Sequence, residues 1–231
     1  MRIAIIPARG GSKRIPRKNI KPFHGQPMIA YAIRAALGSG VFDKVIVSTD
    51  DAEIAEVARK FLAETPFVRS PELADDHTPT VPVIAHAIRA CKDMGWSVED
   101  ACCIYPGAPF VLAEDICTGR EMLEEGLSAY VFPVARFPSP IQRALHRSQD
   151  GTTRPFYPEY ANVRTQDLEP GYFDAGQFYW GKASAWESGL NIHLNARTLT
   201  LPEWRVVDID TPADWERAEL LYSALVERRL P

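Results

Sequence analysis

Short continuous apolar runs alternate along this chain with stretches in which apolar residues return every three or four positions. The first run, IAII at 3–6, is closed by Pro7 and by Gly10-Gly11, and it predicts a strand covered on both faces. Residues 26–37 instead set Met28, Ile29, Ala32, Ile33 and Ala36 on one helical face, which Gly38 and Gly40 end. KVIVST at 44–49 is a second β-branched run. Ile54, Val57, Ala58 and Phe61 then mark a second helix, with Asp50 or Asp51 placed to cap it. A polar, proline-rich loop at 69–80 precedes a helix over 81–94. ACCIY at 101–105 predicts a third buried strand ending in the turn Pro106-Gly107-Ala108-Pro109; a helix over 113–125 and a strand over 129–135 follow. Such alternation predicts an α/β fold, a mostly parallel central sheet with helices on both faces and ligands at the carboxyl ends of its strands.

Beyond residue 135 the alternation fails. Prolines at 138, 140, 155, 158 and 170 interrupt residues 136–170, where Phe137, Phe156, Tyr157 and Tyr160 are interleaved with Arg143, Arg147, Arg154 and Arg164. So long an aperiodic stretch inside a compact domain is usually functional, and its aromatics need something to pack on. FDAGQFYW at 173–180 predicts a strand whose Gly176 admits close approach by a ligand. VVDIDTPAD at 206–214 predicts a short strand and then a helix to about residue 228, with Thr211 as its cap and Pro212 in first position. Trp215, Ala218, Leu221, Tyr222 and Leu225 form the core stripe of that helix.

A length of 231 residues, 46% hydrophobic and 24% charged, fits one sizeable domain spanning 1–231. The formal charge of -4 argues against a nucleic-acid partner, so the basic residues gathered near the start mark a local site for a small polyanion. Cys91, Cys102, Cys103 and Cys117 lack metal-ligand spacing and read as buried reduced thiols. With no signal-like segment and no run of about eighteen apolar residues, the expectation is a cytoplasmic protein without a membrane partner.

The basic cluster follows directly on the first strand: Arg9, Gly10, Gly11, Ser12, Lys13, Arg14, Arg17 and Lys18. Paired glycines let the backbone turn and offer successive N–H groups to an anion, and the cations supply charge. The pattern describes a triphosphate cradle; the alternative is a solvated basic loop. Neither G-x-x-x-x-G-K-[ST] nor G-x-G-x-x-G occurs there, which sets P-loop kinases and dinucleotide enzymes aside. Towards the other end, Asp208 and Asp210 stand two apart in an extended run, on one face. Such carboxylates repel unless a cation lies between them, and magnesium (Mg2+) takes one or two carboxylates together with substrate phosphates. The alternative gives Asp210 to the helix cap and leaves Asp208 unexplained.

PARGGSKRIPRKN at 7–19 resembles the signature of the CMP-sialic acid synthetase family, cytidylyltransferases that activate acidic nine-carbon sugars. The SKRIPRKN form, with Arg14 where the family more often has glycine, resembles the pseudaminic acid branch, as does DAGQFYW at 174–180. The resemblance implies a Rossmann-like nucleotidyltransferase domain of glycosyltransferase A type, with residues 136–170 as an arm reaching into the partner of a homodimer. It implies that Ala8, Arg9, Gly10, Gly11, Ser12, Lys13 and Lys18 wrap the CTP phosphates, with Asn19 on the nucleoside. Arg69, Thr80 and Tyr105 would complete the nucleotide site, Tyr105 standing where sialic acid members carry glutamine. Arg164 would bind the sugar carboxylate beside Gln177 and Tyr179, and Asp208 and Asp210 would hold Mg2+.

The activity so implied is transfer of CMP from CTP to the anomeric hydroxyl of an acidic nine-carbon sugar, within glycan biosynthesis such as flagellin glycosylation. That reaction needs in-line positioning and neutralisation of charge on the departing pyrophosphate, the part expected of Arg9, Lys13 and Lys18. Alternatives within the class act on sialic, legionaminic or 3-deoxy-octulosonic acid. An alternative outside it is a nucleotide-binding regulatory protein without catalysis.

Overall fold

The computed structural model describes residues 1–194 and 196–229, with side chains of the last helix as far as residue 225. Its main sheet is made of β1 (Arg2–Pro7), β2 (Lys44–Ser48), β3 (Asp100–Ile104), β4 (Tyr130–Arg136), β5 (Tyr172–Asp174), β6 (Phe178–Lys182) and β7 (Ala196–Leu201). The strand order is β7-β4-β6-β3-β1-β2, with β5 also paired to β4. β1 runs parallel to β2 and β3, and β7 parallel to β4, whereas β6 is antiparallel to β3 and β4 and β5 antiparallel to β4. The sheet is therefore mostly parallel, as the alternating pattern requires.

β1 shows why the layers form. Ala4 and Ile6 pack on one face against Ile29 and Ile33 of α1 (Ile29–Ser39), Ile54 of α2 (Ala52–Lys60) and Ile116 of α4 (Ala113–Glu124). Ile3 and Ile5 pack on the other against Ile84 and Ile88 of α3 (Thr80–Asp93) and Trp186 of α5 (Ala183–Glu187). All four strand residues are fully buried. Full burial of one such isoleucine contributes roughly 1.5–3 kcal/mol, so this strand anchors both halves of the core. Asp51 caps α2, accepting from the N–H groups of Glu53 and Ile54 at 3.0 Å each.

Two expectations need correction. Residues 206–210 are extended but join no strand of the sheet; they lie along the start of α6 (Pro212–Arg229) and are held there by side-chain packing. The strand expected over 173–180 is two strands, β5 and β6, separated by residues 175–177 with Gly176 at φ +60°. β7 and α5 were not anticipated. The ARTLTL run of β7 alternates threonine and leucine, a half-buried strand pattern. Within the arm, Leu145–Arg147 pairs antiparallel with Thr153–Pro155, flanked by single 3-10 turns. Leu145, Phe156, Tyr157 and Tyr160 stay exposed there. Among the described residues no helix is long and apolar enough to cross a membrane.

Candidate active site

The chain leaves β1 through Ala8, whose N–H donates to Ser48 O at 3.0 Å and extends the pairing with β2. The Gly10 N–H donates to Asp50 Oδ1 at 3.0 Å, and a Cβ on Gly10 would stand 2.6 Å from Asp51 Oδ2. Glycine is thus required at position 10 by the approach of the α2 terminus. Arg17, at φ +56°, pairs with Asp51 and Glu53, and the buried Asn19 donates through Nδ2 to Arg9 O at 3.0 Å. The loop is laced to the sheet and to α2 before any ligand arrives.

The tail segment meets this loop through a shared core. Ile15 of the loop is buried with Val207 and Ile209, together with Trp215 and Ala218 of α6. Asp208 and Asp210, alternating with the buried Val207 and Ile209, border a cavity of about 470 Å3 that also takes Arg9, Ser12, Lys13, Lys18 and Asn19. A reciprocal cap fixes the end of the segment: Thr211 N–H donates to Asp214 Oδ2 at 2.9 Å, and Asp214 N–H donates to Thr211 Oγ1 at 3.2 Å.

Charge is already arranged inside the cavity. Lys18 Nζ donates to Ile209 O at 2.6 Å and lies 3.4 Å from Asp210 Oδ1, while Arg14 pairs with Asp210 Oδ2 at 2.9 Å. Arg9 pairs with Asp76 at 2.8 Å and also donates to Asp75 O, and Lys13 pairs with Asp76. Among the described residues no cation pairs with Asp208. Burial, and then the neighbouring Asp210 charge, push its carboxyl pKa up, with Lys18 and Arg14 opposing the rise. A carboxylate that resists ionisation beside a second one is a donor set that an added cation would relieve. Among the described residues no cluster of three or more His, Cys, Asp or Glu could hold a metal, so any ion here needs ligand oxygens as well. That requirement suits magnesium, which takes one or two carboxylates plus phosphates and water.

The far wall is made by Arg69, Thr80, Tyr105 and Gly176. Arg69 is buried, donating through Nε to Ser48 Oγ at 3.1 Å and also to Ser48 O, and burial lowers its pKa to about 10. Thr80 opens α3 without capping it, and its hydroxyl meets Tyr105 OH at 2.6 Å. Burial raises the pKa of Tyr105 to about 12, so this phenol keeps its proton.

Residues 3–138 match the family model described as cytidylyltransferase. The chain belongs to the cytidylyltransferase family. It is 41% identical over 221 residues to the pseudaminic acid cytidylyltransferase of Campylobacter jejuni, covering 95% of each chain. It is 32% identical over 227 residues to the CMP-N,N'-diacetyllegionaminic acid synthase of Legionella pneumophila, again covering 95% of each. The fold is shared with a CMP:2-keto-3-deoxy-manno-octonic acid synthetase solved with CTP, at TM-score 0.71 and 17% identity, over 97% of this chain and 99% of that one.

In this cytidylyltransferase, Arg9, Ser12, Lys13, Lys18, Asn19, Arg69, Thr80, Tyr105, Asp208 and Asp210 all border one cavity. Other expected site residues stand elsewhere. Ala8 is fully buried with its N–H engaged, Gly10 faces Asp50 and Asp51, and Gly11 is exposed and does not line the wall. Gln177 is buried, donating through Nε2 to Arg205 O at 2.7 Å, and Tyr179 is a core residue whose OH donates to Asp174. Arg164 is exposed on the arm and does not line this cavity. Asp75 and Asp76 were missed. Their signal was present: two adjacent acids in the polar loop at 69–80, opposite in sign to the cationic loop.

Proposed function

We propose that this cytidylyltransferase transfers CMP from CTP to the anomeric hydroxyl of pseudaminic acid, an acidic nine-carbon sugar, and releases pyrophosphate. The observation that carries the reading is the shared cavity of the cationic loop and the carboxylates Asp208 and Asp210. The choice of sugar is supported by 41% identity to the pseudaminic acid enzyme against 32% to the legionaminic acid one. The sugar oxygen attacks the α-phosphorus of CTP, the bond to the bridging oxygen breaks, and the hydroxyl proton is lost to water. Arg9, Lys13 and Lys18 neutralise the charge that moves onto the pyrophosphate. Thr80 and Tyr105 offer hydroxyls to the ligand, and Arg69 holds the end of β2 behind them.

Asp208 and Asp210 would hold magnesium. Bound there, the ion would supply Lewis-acid polarisation of phosphate oxygens. To admit it, Asp210 must loosen its pairs with Arg14 and Lys18, which frees both cations for phosphate.

The working form is a cytoplasmic homodimer. Support comes from the arm, where Leu145 is 57% and Phe156 is 59% exposed, an apolar surface suited to a second copy of the chain. Arg164 of one copy then reaches the other copy's cavity and forks onto the sugar carboxylate. Pyrophosphate release, measured with CTP, magnesium and each of pseudaminic, legionaminic, sialic and 3-deoxy-octulosonic acids, tests the function. Turnover is expected with pseudaminic acid above the others; faster turnover of another acid would replace the substrate, and none with any would defeat the enzymatic reading.

A further inference from the structure

The Asp174 carboxylate is the hub of a hydrogen-bond network behind the far wall of the cavity. Its Oδ1 accepts the Gly176 N–H at 2.8 Å. The Tyr179 hydroxyl donates to it, 3.0 Å from both oxygens, and His193 Nε2 lies 2.7 Å from Oδ2. A carboxylate offers about four lone-pair positions, so this one is close to saturated.

Two of these partners connect to the wall. The Gly176 bond closes a tight turn, holding the glycine at φ +60° where it borders the cavity. The next residue, Gln177, accepts the Tyr105 N–H through its carbonyl at 2.9 Å. Tyr179 supports Tyr105 from behind, with ring centroids 5.3 Å apart. Tyr105 is thereby set by its backbone and by its ring, both referred to Asp174. The wall it belongs to runs into the acid end of the site: a Cβ on Gly107 would lie 3.8 Å from Lys18 Cε, and Lys18 bonds Ile209 O. The acceptor hydroxyl has to arrive at that end, since the carboxylates stand there.

We propose that Asp174 is a positioning residue for the sugar acceptor: through the Gly176 turn and Tyr179 it fixes the Tyr105–Gly107 wall against which the acceptor is held. This rests on the transferase reading above. Asp174 lies outside the cavity lining, and its carboxylate makes no hydrogen bond to the cationic loop after β1. Its loss therefore weakens acceptor binding most, and CTP, held mainly by the cationic loop, much less.

Steady-state kinetics on the full-length protein test this. Asp174→Ala is expected to raise the acceptor KM about tenfold while kcat and the CTP KM change by less than about twofold, the loss of a hydrogen bond to a charged group. Asp174→Asn keeps an accepting oxygen for Gly176 and Tyr179 and is expected to recover most of the loss. Tyr179→Phe removes one donor alone; it is expected to raise the acceptor KM by a smaller factor and to add little on top of Asp174→Ala. Unchanged acceptor KM in Asp174→Ala overturns the proposal, as does a fall in kcat with both KM values constant, which marks only a loss of folded enzyme. Should Asp174→Ala fail to fold, an unaltered acceptor KM in Tyr179→Phe is the overturning result. If wild type prefers a different nine-carbon acid, the substrate assignment falls, and the same split is read with that acid. An enzyme inactive on every acid overturns both.

Discussion

Arg9, Lys13, Arg14 and Lys18 in the cavity each meet a carboxylate of their own chain. On the arm, Arg143 donates only to the backbone carbonyls of Tyr160, Ala161 and Val163, and among the described residues Arg164 pairs with no carboxylate. The apolar residues divide in the same way. Ile15, Val207 and Ile209 beneath the cavity are buried, whereas Leu145 and Phe156 on the arm are exposed. In the first region each of these cations is answered by an acid of the same chain. In the second, Arg143 meets only backbone carbonyls and the apolar Leu145 and Phe156 face outward.

The sharpest way to break this contrast is at the acids. Asp208→Asn is expected to cut turnover about a thousandfold, several kcal/mol of transition-state stabilisation, and chelation of divalent ions should do the same to wild type. Its effect on stability has the opposite sign. Because the folded-state pKa of Asp208 is raised, the folded protein holds that proton more tightly than the unfolded chain does. Its contribution therefore falls as pH rises from the ordinary carboxylate value through the folded one, and the charge is a net cost at neutral pH. Ligand-free Asp208→Asn should melt higher than wild type at pH 7, and the gap should close in acid; a lower melting point would contradict the electrostatics described for the cavity.

Next in size is the arm. Arg164→Ala is expected to raise the sugar KM roughly tenfold to a hundredfold with the CTP KM unaffected, the loss of a charge-assisted pair. Mixing Arg164→Ala with Asp208→Asn sharpens the comparison further. If the arm crosses between subunits, mixed dimers regain one intact site and the mixture recovers up to about a quarter of wild-type rate. If the arm folds back on its own cavity, mixing recovers nothing.

A smaller effect is expected at Asp76, the anion between Arg9 and Lys13, whose carboxyl Lys13 and then Arg9 hold below the usual range. Asp76→Asn should tighten CTP binding severalfold in calorimetry at low salt, with the advantage fading as screening shortens. Weaker binding would make Asp76 part of the ligand site. Smallest is Thr211→Ala, which removes the cap at the end of the aspartate segment; a loss of about 1 kcal/mol is expected, a melting shift of roughly 2–4 °C at this length.

Local signals made much of this legible in the sequence. IAII between Pro7 and the chain start reads as a doubly covered strand, and the glycines and cations after it read as an anion cradle rather than a solvated loop. The period-two spacing of Asp208 and Asp210 put them on one face correctly, although no neighbouring strand does it: Val207 and Ile209 do, by sinking beside Ile15. Long-range partners were not legible. The resemblance puts Tyr179 and Gln177 at the sugar, but the Tyr179 hydroxyl is engaged by Asp174 and Gln177 Nε2 by the Arg205 carbonyl, while Gln177 Oε1 has no partner among the described residues. Gly10 read as a phosphate donor, while the structure uses its lack of a side chain to admit Asp51.

The bond from Lys18 to Ile209 spans 191 positions of the chain. During synthesis the cationic loop is out of the ribosome long before its acidic counterpart has been made, so the growing chain carries half a binding site for most of its elongation. The pocket gains the acidic side formed by Asp208 and Asp210 only when residues 207–210 emerge.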